Sequence, residues 1–433
     1  MPRVSFTTLG CRLNQAESDS MLEELTGAGF EEAEKDDRPD VVVVNTCTVT
    51  REATKASRSA IRRAVRNNPH ARVVVIGCYA VSNPEEVEAI DGVNLVLNNN
   101  DKESFRSALA SSEATAPLLK IGMGGPGRRA QTKPPQVRAN LKVQTGCDEW
   151  CTFCIIPTTR GPLRSMNEEA LVDEARRKVE AGAREIVLTG VHLGKYSYDQ
   201  GGDERQLLGL LQRLLGIEGL RRLRLSSIFP RHLTDGLLEL MASDPRLCRY
   251  LHVPLQSGDD GILDTMHRPY SVNEYVQSVT RAKEAVSGLA LATDLIVGFP
   301  GETEAAFSNT MKVVAELEFS KLHVFRYSAR PDTPAAEMSD QIHPDVKKER
   351  SKRLIDLGNH FRAHFLQRHL DAPLEVLVED RRLVDGVLVC SGQTDDYVRV
   401  WFEDDCELGS LVSVQGHKVR ADGVQGRVVT EAA

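Results

Sequence analysis

Short β-branched runs alternating with helical stretches constrain this chain more than any other feature, because they recur from Val4 to Tyr327. Near the start the runs are Val4–Leu9, Val41–Asn45 and Val73–Gly77, followed in turn by helical stretches at Ala16–Ala28, Glu52–Arg66 and Pro84–Ile90. Strands separated by helices cannot pair as hairpins, so this part predicts an open parallel α/β sheet. Six further runs follow at Leu141–Thr145, Glu185–Thr189, Arg222–Ile228, Tyr250–Leu255, Leu291–Val297 and Lys321–Tyr327. Six βα steps predict a barrel or an open, partial barrel. Between the two series, Ser111 to Ala139 is rich in Ala, Ser, Gly and Pro and reads as a linker or strap. After a charged helical stretch, Pro344–Leu370, Val- and Leu-rich runs broken by Asp-Gly, Ser-Gly and Leu-Gly turns predict a small antiparallel β-barrel. The expected division is 1–112, a strap at 113–139, a barrel domain at 140–369 and a tail domain at 370–433.

A length of 433 residues suits two or three domains, and 41% hydrophobic with 27% charged residues excludes wholesale disorder. No window approaches about 18 uninterrupted apolar residues, and Met1–Phe6 lacks the apolar run of a secretory signal, so a cytoplasmic protein with no membrane partner is expected. Nine cysteines are then too few and too scattered for a disulfide scaffold and point to metal ligands or reactive thiols.

Cys147, Cys151 and Cys154 are spaced C-x3-C-x2-C at the end of the first strand of the second series. Three thiolates on so tight a loop suit one iron–sulfur cubane; zinc normally takes four ligands from two separated pairs, and no second pair follows. A cubane held by three cysteines leaves one iron open to a substrate. Cys11, Cys47 and Cys78 form a different pattern. Each lies just beyond the carboxyl end of a predicted parallel strand, and in an open α/β sheet those ends line one crevice, so the three thiols are expected to converge on a second cluster. Cys248, Cys390 and Cys406 have no such placement and read as structural.

The first triplet, with Phe153 directly before its third cysteine, resembles the radical S-adenosylmethionine enzymes, whose partial (βα)6 barrel matches the strand count above. The resemblance implies that the open iron chelates S-adenosylmethionine and that electron transfer from the cluster yields a 5′-deoxyadenosyl radical. It also implies cofactor contacts from Phe153 and the Thr189-Gly190 turn; Ser226-Ser227 and Gln256, which end the third and fourth predicted strands where barrel sites gather, are further candidates. The turn reads Leu188-Thr189-Gly190-Val191, without the glutamate of the usual pattern. With both triplets, nearly the whole chain resembles the methylthiotransferase family. The matching text is Thr8 to Gln15, Asn45-Thr46-Cys47, Gly77-Cys78, Gly146 to Pro157 with Arg160-Gly161, and Asp294 to Thr303. The family implies an auxiliary 4Fe-4S cluster on Cys11, Cys47 and Cys78, a radical 4Fe-4S cluster on Cys147, Cys151 and Cys154, and a C-terminal TRAM domain. It also implies two molecules of S-adenosyl-L-methionine per turnover, one giving the methyl group and one the radical.

Family members act on adenosine-37 of tRNA carrying a threonylcarbamoyl or an isopentenyl group, or on an aspartate of a ribosomal protein. Cys11-Arg12-Leu13-Asn14 resembles the threonylcarbamoyl type, whereas the isopentenyl type usually reads Cys-Gln-Met-Asn. The expectation is therefore a 2-methylthio group on threonylcarbamoyladenosine-37, with an unidentified sulfur donor and electron donor. Charge bears on this. Lys55, Arg58, Arg62 and Arg66, with Arg51 before them, recur at helical spacing as one basic stripe, and Arg128 and Arg129 add charge in the strap, all candidates for tRNA contact. The tail opposes it, with 6 basic against 13 acidic residues from Leu370 onward, which keeps the ribosomal-protein reading open. Arg381, Arg382, Tyr397 and Trp401 are its candidate RNA contacts. A non-catalytic iron–sulfur electron carrier or RNA-binding module is the reading from another class, and three cysteines per cluster instead of four weigh against it.

Overall fold

The computed structural model describes residues 1–34, 37–111 and 136–429. The first sheet contains β1 (Arg3–Thr8), β2 (Glu31–Glu32), β3 (Val41–Thr46), β4 (Arg72–Gly77) and β5 (Val93–Val96), all parallel, in the order β2-β1-β3-β4-β5. Its valines point alternately to two cores. Val41 and Val43 pack with Met21, Leu25 and Phe105 on one face, while Val42 and Val44 pack with Ile61 and Ala64 on the other. Helices thus cover both faces, as a parallel sheet requires. The three expected strands are present; the short β2 and β5 and the helix Cys78–Ser82 are additional to them, and the expected helix at Pro84–Ile90 is the short Pro84–Glu88.

The second unit begins with β6 (Arg138–Lys142) and a short antiparallel pair, β7 (Gln144–Thr145) with β8 (Arg164–Ser165). It continues through β9 (Glu185–Thr189), β10 (Arg222–Leu225), β11 (Tyr250–His252), β12 (Ala290–Val297) and β13 (Lys321–Arg326). Two parallel three-stranded sheets, β10-β9-β6 and β11-β12-β13, are bridged between Ser227 and His252. The six expected strands thus form one parallel arc, and among the described residues β6 and β13 do not pair. Leu141, Leu188 and Leu223 face outward into the largest core, leaving the alternate positions for a polar lumen.

Helix Pro344–Gln367 runs along β13 to the last unit, made of β14 (Pro373–Val384), β15 (Val387–Gln393), β16 (Arg399–Glu403), β17 (Leu411–Arg420) and β18 (Gly423–Val428). These close into a barrel in the order β14-β15-β16-β18-β17. It is not wholly antiparallel as expected, because β16 and β18 run parallel. Its core includes Val376, Val400 and Phe402 and extends to Tyr250, Ala290 and Ala292 where β11 and β12 begin, so the small barrel stops the amino-terminal mouth of the large one. Cys390 and Cys248 are buried, and all nine cysteines are free. Among the described residues, no helix is long and apolar enough to cross a membrane.

Candidate functional site

The loop of the first triplet leaves β7 at Gly146, which has φ +72°, and a Cβ there would stand 1.8 Å from the Pro162 carbonyl oxygen. Only glycine fits this turn. Thr152 then pins the loop across the lumen, its amide donating to Met266 O at 3.1 Å and its hydroxyl to Thr265 O at 2.9 Å. Cys151 is buried, with Cys147 and Cys154 half-buried beside it. Burial, reinforced by the other thiols of the triplet, pushes Cys147 up to about 11 and Cys154 up to about 12. Such thiols stay protonated unless a cation offsets the cost of the thiolate, so the loop fits a bound metal cluster better than a free nucleophile. Arg268 supplies one positive charge, donating to Cys151 Sγ at 3.3 Å while Tyr270 Oη holds it at 2.8 and 2.9 Å.

At the strand ends beside this loop, Ser226 Oγ and Gln256 Oε1 are buried without partners among the described residues, and Gln256 adopts φ +67°. Two orphaned polar atoms on that rim suit a polar cofactor such as S-adenosylmethionine. The Ser227 hydroxyl is instead engaged with His252 Nδ1 at 3.0 Å. Thr189 donates to Leu141 O at 3.2 Å, and Gly190 leaves room for Gln144, to which a Cβ would come within 3.1 Å. Phe153 is half-buried, edge-on to Phe299 with ring centroids 6.4 Å apart.

The second triplet lies where β1, β3 and β4 end. Gly10, at φ +96°, lets the chain pass over Cys47, whose Cβ would be 2.7 Å from any side chain placed there. Cys47 and Cys78 are buried and Cys11 is open. Burial raises the Cys47 thiol, and the charges of Cys78 and Cys11 add to it, so the three thiols share one crevice. Among the described residues, no trio of His, Cys, Asp or Glu is grouped to hold a single metal ion. A cubane, by contrast, spreads three thiolates over separate corners.

Sequence reasoning missed what lies under this crevice. Glu17 accepts Lys102 Nζ at 2.6 Å and Arg160 Nη1 at 2.8 Å, with Lys142 Nζ at 3.5 Å. Burial works to raise the Glu17 carboxyl, and Lys102, Arg160 and Lys142 overcome it, holding it well below the usual carboxylate range. Three cations against one carboxylate leave positive charge, and Arg160 is drawn to Cys78 and Cys11 as well as to Glu17. That surplus suits a negatively charged cluster on the thiolates. Arg160 ends the short helix Ile156–Arg160 just after Cys154, and it also donates to Asn14 Oδ1, three residues past Cys11. One arginine thus ties the two triplets together.

Two further groups line the lumen. His252 bonds Ser227 through Nδ1 and Asp294 Oδ1 through Nε2 at 3.0 Å, with the His323 ring 5.3 Å away. Arg12 lies open to solvent in a pocket with Cys11, Arg138, Asn140 and Val187. The position of His252 on β11 was the available signal for the first; Arg12, which opens helix Arg12–Gly27, was marked only by its place in Cys11-Arg12-Leu13-Asn14.

Of the basic stripe, Lys55, Arg62 and Arg66 are exposed on helix Arg51–Asn67, whose Ser57, Ile61 and Ala64 face inward; Arg58 pairs with Glu86. Arg128 and Arg129 lie outside the described residues. In the tail, Arg381 and Arg382 pair with Asp405 and Asp380, and Tyr397 is turned inward beneath Arg224, 4.3 Å from its ring centroid. Trp401 lies beside Arg399 and Arg420, whose guanidinium carbons are 5.9 and 6.0 Å from its ring centroid.

Comparison with known proteins agrees with this architecture. Residues 3–98 match the uncharacterized protein family UPF0004 and residues 141–314 the radical SAM superfamily. Threonylcarbamoyladenosine tRNA methylthiotransferase MtaB of Bacillus subtilis is 38% identical over 424 residues, covering 96% of this chain and 94% of that one. tRNA-2-methylthio-N(6)-dimethylallyladenosine synthase of Sorangium cellulosum is 37% identical over 471 residues, covering 100% and 94%. Among solved structures, the radical S-adenosylmethionine methyltransferase TsrM of Kitasatospora setae shares the fold, with a TM-score of 0.57 at 16% identity over 78% of this chain and 74% of that one.

Proposed function

This chain belongs to the radical S-adenosylmethionine tRNA methylthiotransferases, and from that premise we propose that it puts a methylthio group on C2 of N6-threonylcarbamoyladenosine-37 in tRNA. The observation that carries the reaction is the pair of three-thiol sets, one at the strand ends of each unit, with Arg160 reaching from just after the first set to Glu17 and Asn14 beside the second. Cys147, Cys151 and Cys154 hold the radical cluster with its S-adenosylmethionine, and Cys11, Cys47 and Cys78 hold the auxiliary one. When bound, these groups supply the 5′-deoxyadenosyl radical and the methylated sulfur. The protein's own part is positional. Arg268 donates to Cys151 Sγ, Ser226 and Gln256 offer polar atoms without partners among the described residues to the cofactor, and the Glu17 cluster joins the two units through Arg160. Covering barrel walls exclude water from the radical.

The substrate rests on Cys11-Arg12-Leu13-Asn14, which resembles the threonylcarbamoyl type. Overall identity does not choose, since relatives named for either nucleoside stand at 38% and 37%; isopentenyladenosine-37 is thus the second reading. The acidic tail keeps a ribosomal-protein aspartate as a further alternative, although its Asp380, Asp395, Asp396 and Asp405 already pair with Arg382, Arg249, His369 and Arg381. The test is anaerobic reconstitution with S-adenosylmethionine, sulfide, reductant and threonylcarbamoylated tRNA, followed by mass spectrometry of the digested nucleosides. A 2-methylthio product on that nucleoside is expected; product only on isopentenylated tRNA would replace the reading with the second one.

A further inference from the structure

The cations near the closed end of the lumen are not equivalent. Arg138 and Arg224 converge on the buried Glu185, at 2.9 and 2.8 Å, and Arg224 also donates to the carbonyls of Thr394 and Asp395. Their charge is answered. Arg12 faces the same space from one residue beyond Cys11, with its guanidinium carbon 5.3 Å from the centroid of the Tyr397 ring. Lys321 opens β13 on the opposite edge of the arc, beside Arg362 and Asp422, and feels the charge of Arg362 and, beyond it, of Arg12. Among the described residues, neither Arg12 nor Lys321 has a carboxylate within ion-pair distance, whereas Lys142 has Glu17 and His252 has Asp294. The pocket beside Arg12 has a volume of about 310 Å³, with Cys11 and Asn140 in its wall.

A cation without a carboxylate partner, such as Arg12 at its pocket, stands ready for an anion, and Lys321 at the opposite edge of the arc adds positive charge to the same side. A guanidinium takes a carboxylate through two parallel hydrogen bonds, which a lysine or an amide cannot reproduce. On the substrate reading above, the base itself carries one such anion, the threonyl carboxylate, several bonds from the reacting C2 on the N6 side. Arg12 projects from the residue next to Cys11 toward the closed end of the lumen, where that group would extend. We infer that Arg12, assisted by Lys321, binds the threonyl carboxylate of the substrate and so selects the threonylcarbamoyl nucleoside over an uncharged N6 substituent. The inference rests on the proposed substrate and gives it a physical basis.

The experiment uses the reconstituted full-length enzyme and two tRNAs, one with threonylcarbamoyladenosine-37 and one with its threonyl carboxylate converted to a methylamide. The readout is kcat/KM for the 2-methylthio product. A charge-assisted contact predicts that wild type prefers the free acid by about ten- to a hundredfold. Arg12→Gln should reduce that preference to near one by losing rate on the acid, and Lys321→Gln should reduce it partway. Iron and sulfide counts on each variant detect damage to the neighbouring cluster, and if Arg12→Gln is damaged, Lys321→Gln carries the test. An unchanged preference in cluster-loaded variants would overturn the inference while leaving the substrate reading intact. Loss of S-adenosylmethionine binding in Arg12→Gln would assign the cation to that cofactor's carboxylate and overturn it as well. Wild-type activity confined to isopentenylated tRNA would remove the substrate reading and the inference together.

Discussion

Replacing Glu17 by glutamine keeps the shape of the side chain and removes the one carboxylate among Lys102, Arg160 and Lys142. The carboxylate is 3% exposed, with Lys102 and Arg160 each at 1%, so water cannot take over its role. Removing one partner of a buried ion pair leaves uncompensated charge and costs about 3–5 kcal/mol, roughly a hundredfold or more in the folding equilibrium. Because Glu17 belongs to helix Arg12–Gly27, Lys102 follows β5 and Arg160 belongs to the barrel unit, the loss should fall on the seam between the two units. The assay is urea unfolding of the anaerobically reconstituted protein, followed by circular dichroism, with the first transition analysed because a multidomain chain need not unfold in one step. Glu17→Gln should move that transition to lower urea at pH 7, and adding Lys102→Met, which removes one stranded cation, should recover part of the loss. The pH dependence has a definite sign. The ordinary carboxyl value is 4.5 and the folded one lies well below it, so the stabilisation is complete above pH 4.5 and fades as pH falls through the folded value. The deficit of the variant should accordingly shrink in acid. A transition unchanged at pH 7, or a double variant worse than the single one by the full cost of losing a second partner, would refute the electrostatic account.

Three other outcomes are expected. Alanine at Cys147, Cys151 or Cys154 should abolish 5′-deoxyadenosine formation, whereas alanine at Cys11, Cys47 or Cys78 should spare it and stop sulfur insertion; chromatography of the nucleosides and of cleaved S-adenosylmethionine separates the two, and methylthiolated product from the second set would remove that cluster from the mechanism. Gly146→Ala, with no room beside the Pro162 carbonyl, should lose most of the iron of the radical loop on reconstitution, measured by iron count, while secondary structure by circular dichroism stays near wild type. Alanine at Lys55, Arg62 and Arg66 together should weaken tRNA binding and flatten its salt dependence by about one unit of log–log slope for each phosphate no longer neutralised; an unchanged slope in a filter-binding titration would take this helix out of the interface.

The alternation of strands and helices was legible in the sequence because it rests on local, periodic signals. Val41 to Val44 feed two opposite cores, and that burial on both faces is written as an unbroken apolar run. The cysteines were legible for the same reason: Cys11, Cys47 and Cys78 each follow a strand end, and parallel topology alone brings strand ends together. β5 escaped notice because four residues after a turn carry too little periodicity, and the parallel β16–β18 pairing depends on barrel closure, which no local pattern encodes.

The charged network shows where this legibility stops. Glu17 and Lys102 are 85 residues apart and Glu17 and Arg160 are 143 apart, so their meeting depends on how two units dock. Ser226 and Ser227 are neighbours of one residue type, yet the pleat gives one a partner in His252 and leaves the other free. In the same way Arg12 is marked in the sequence only by its place in Cys11-Arg12-Leu13-Asn14, and only the register of β6, β9 and β10, which commits Glu185 to Arg138 and Arg224, leaves it without a carboxylate partner among the described residues. The sequence by itself determined the parallel layers and the positions of the two thiol triplets, since each follows from short-range pattern and chain direction. The tertiary structure alone decided which charges are spent and which remain for a ligand, because pairing within a closed lumen is a property of packing across distant segments.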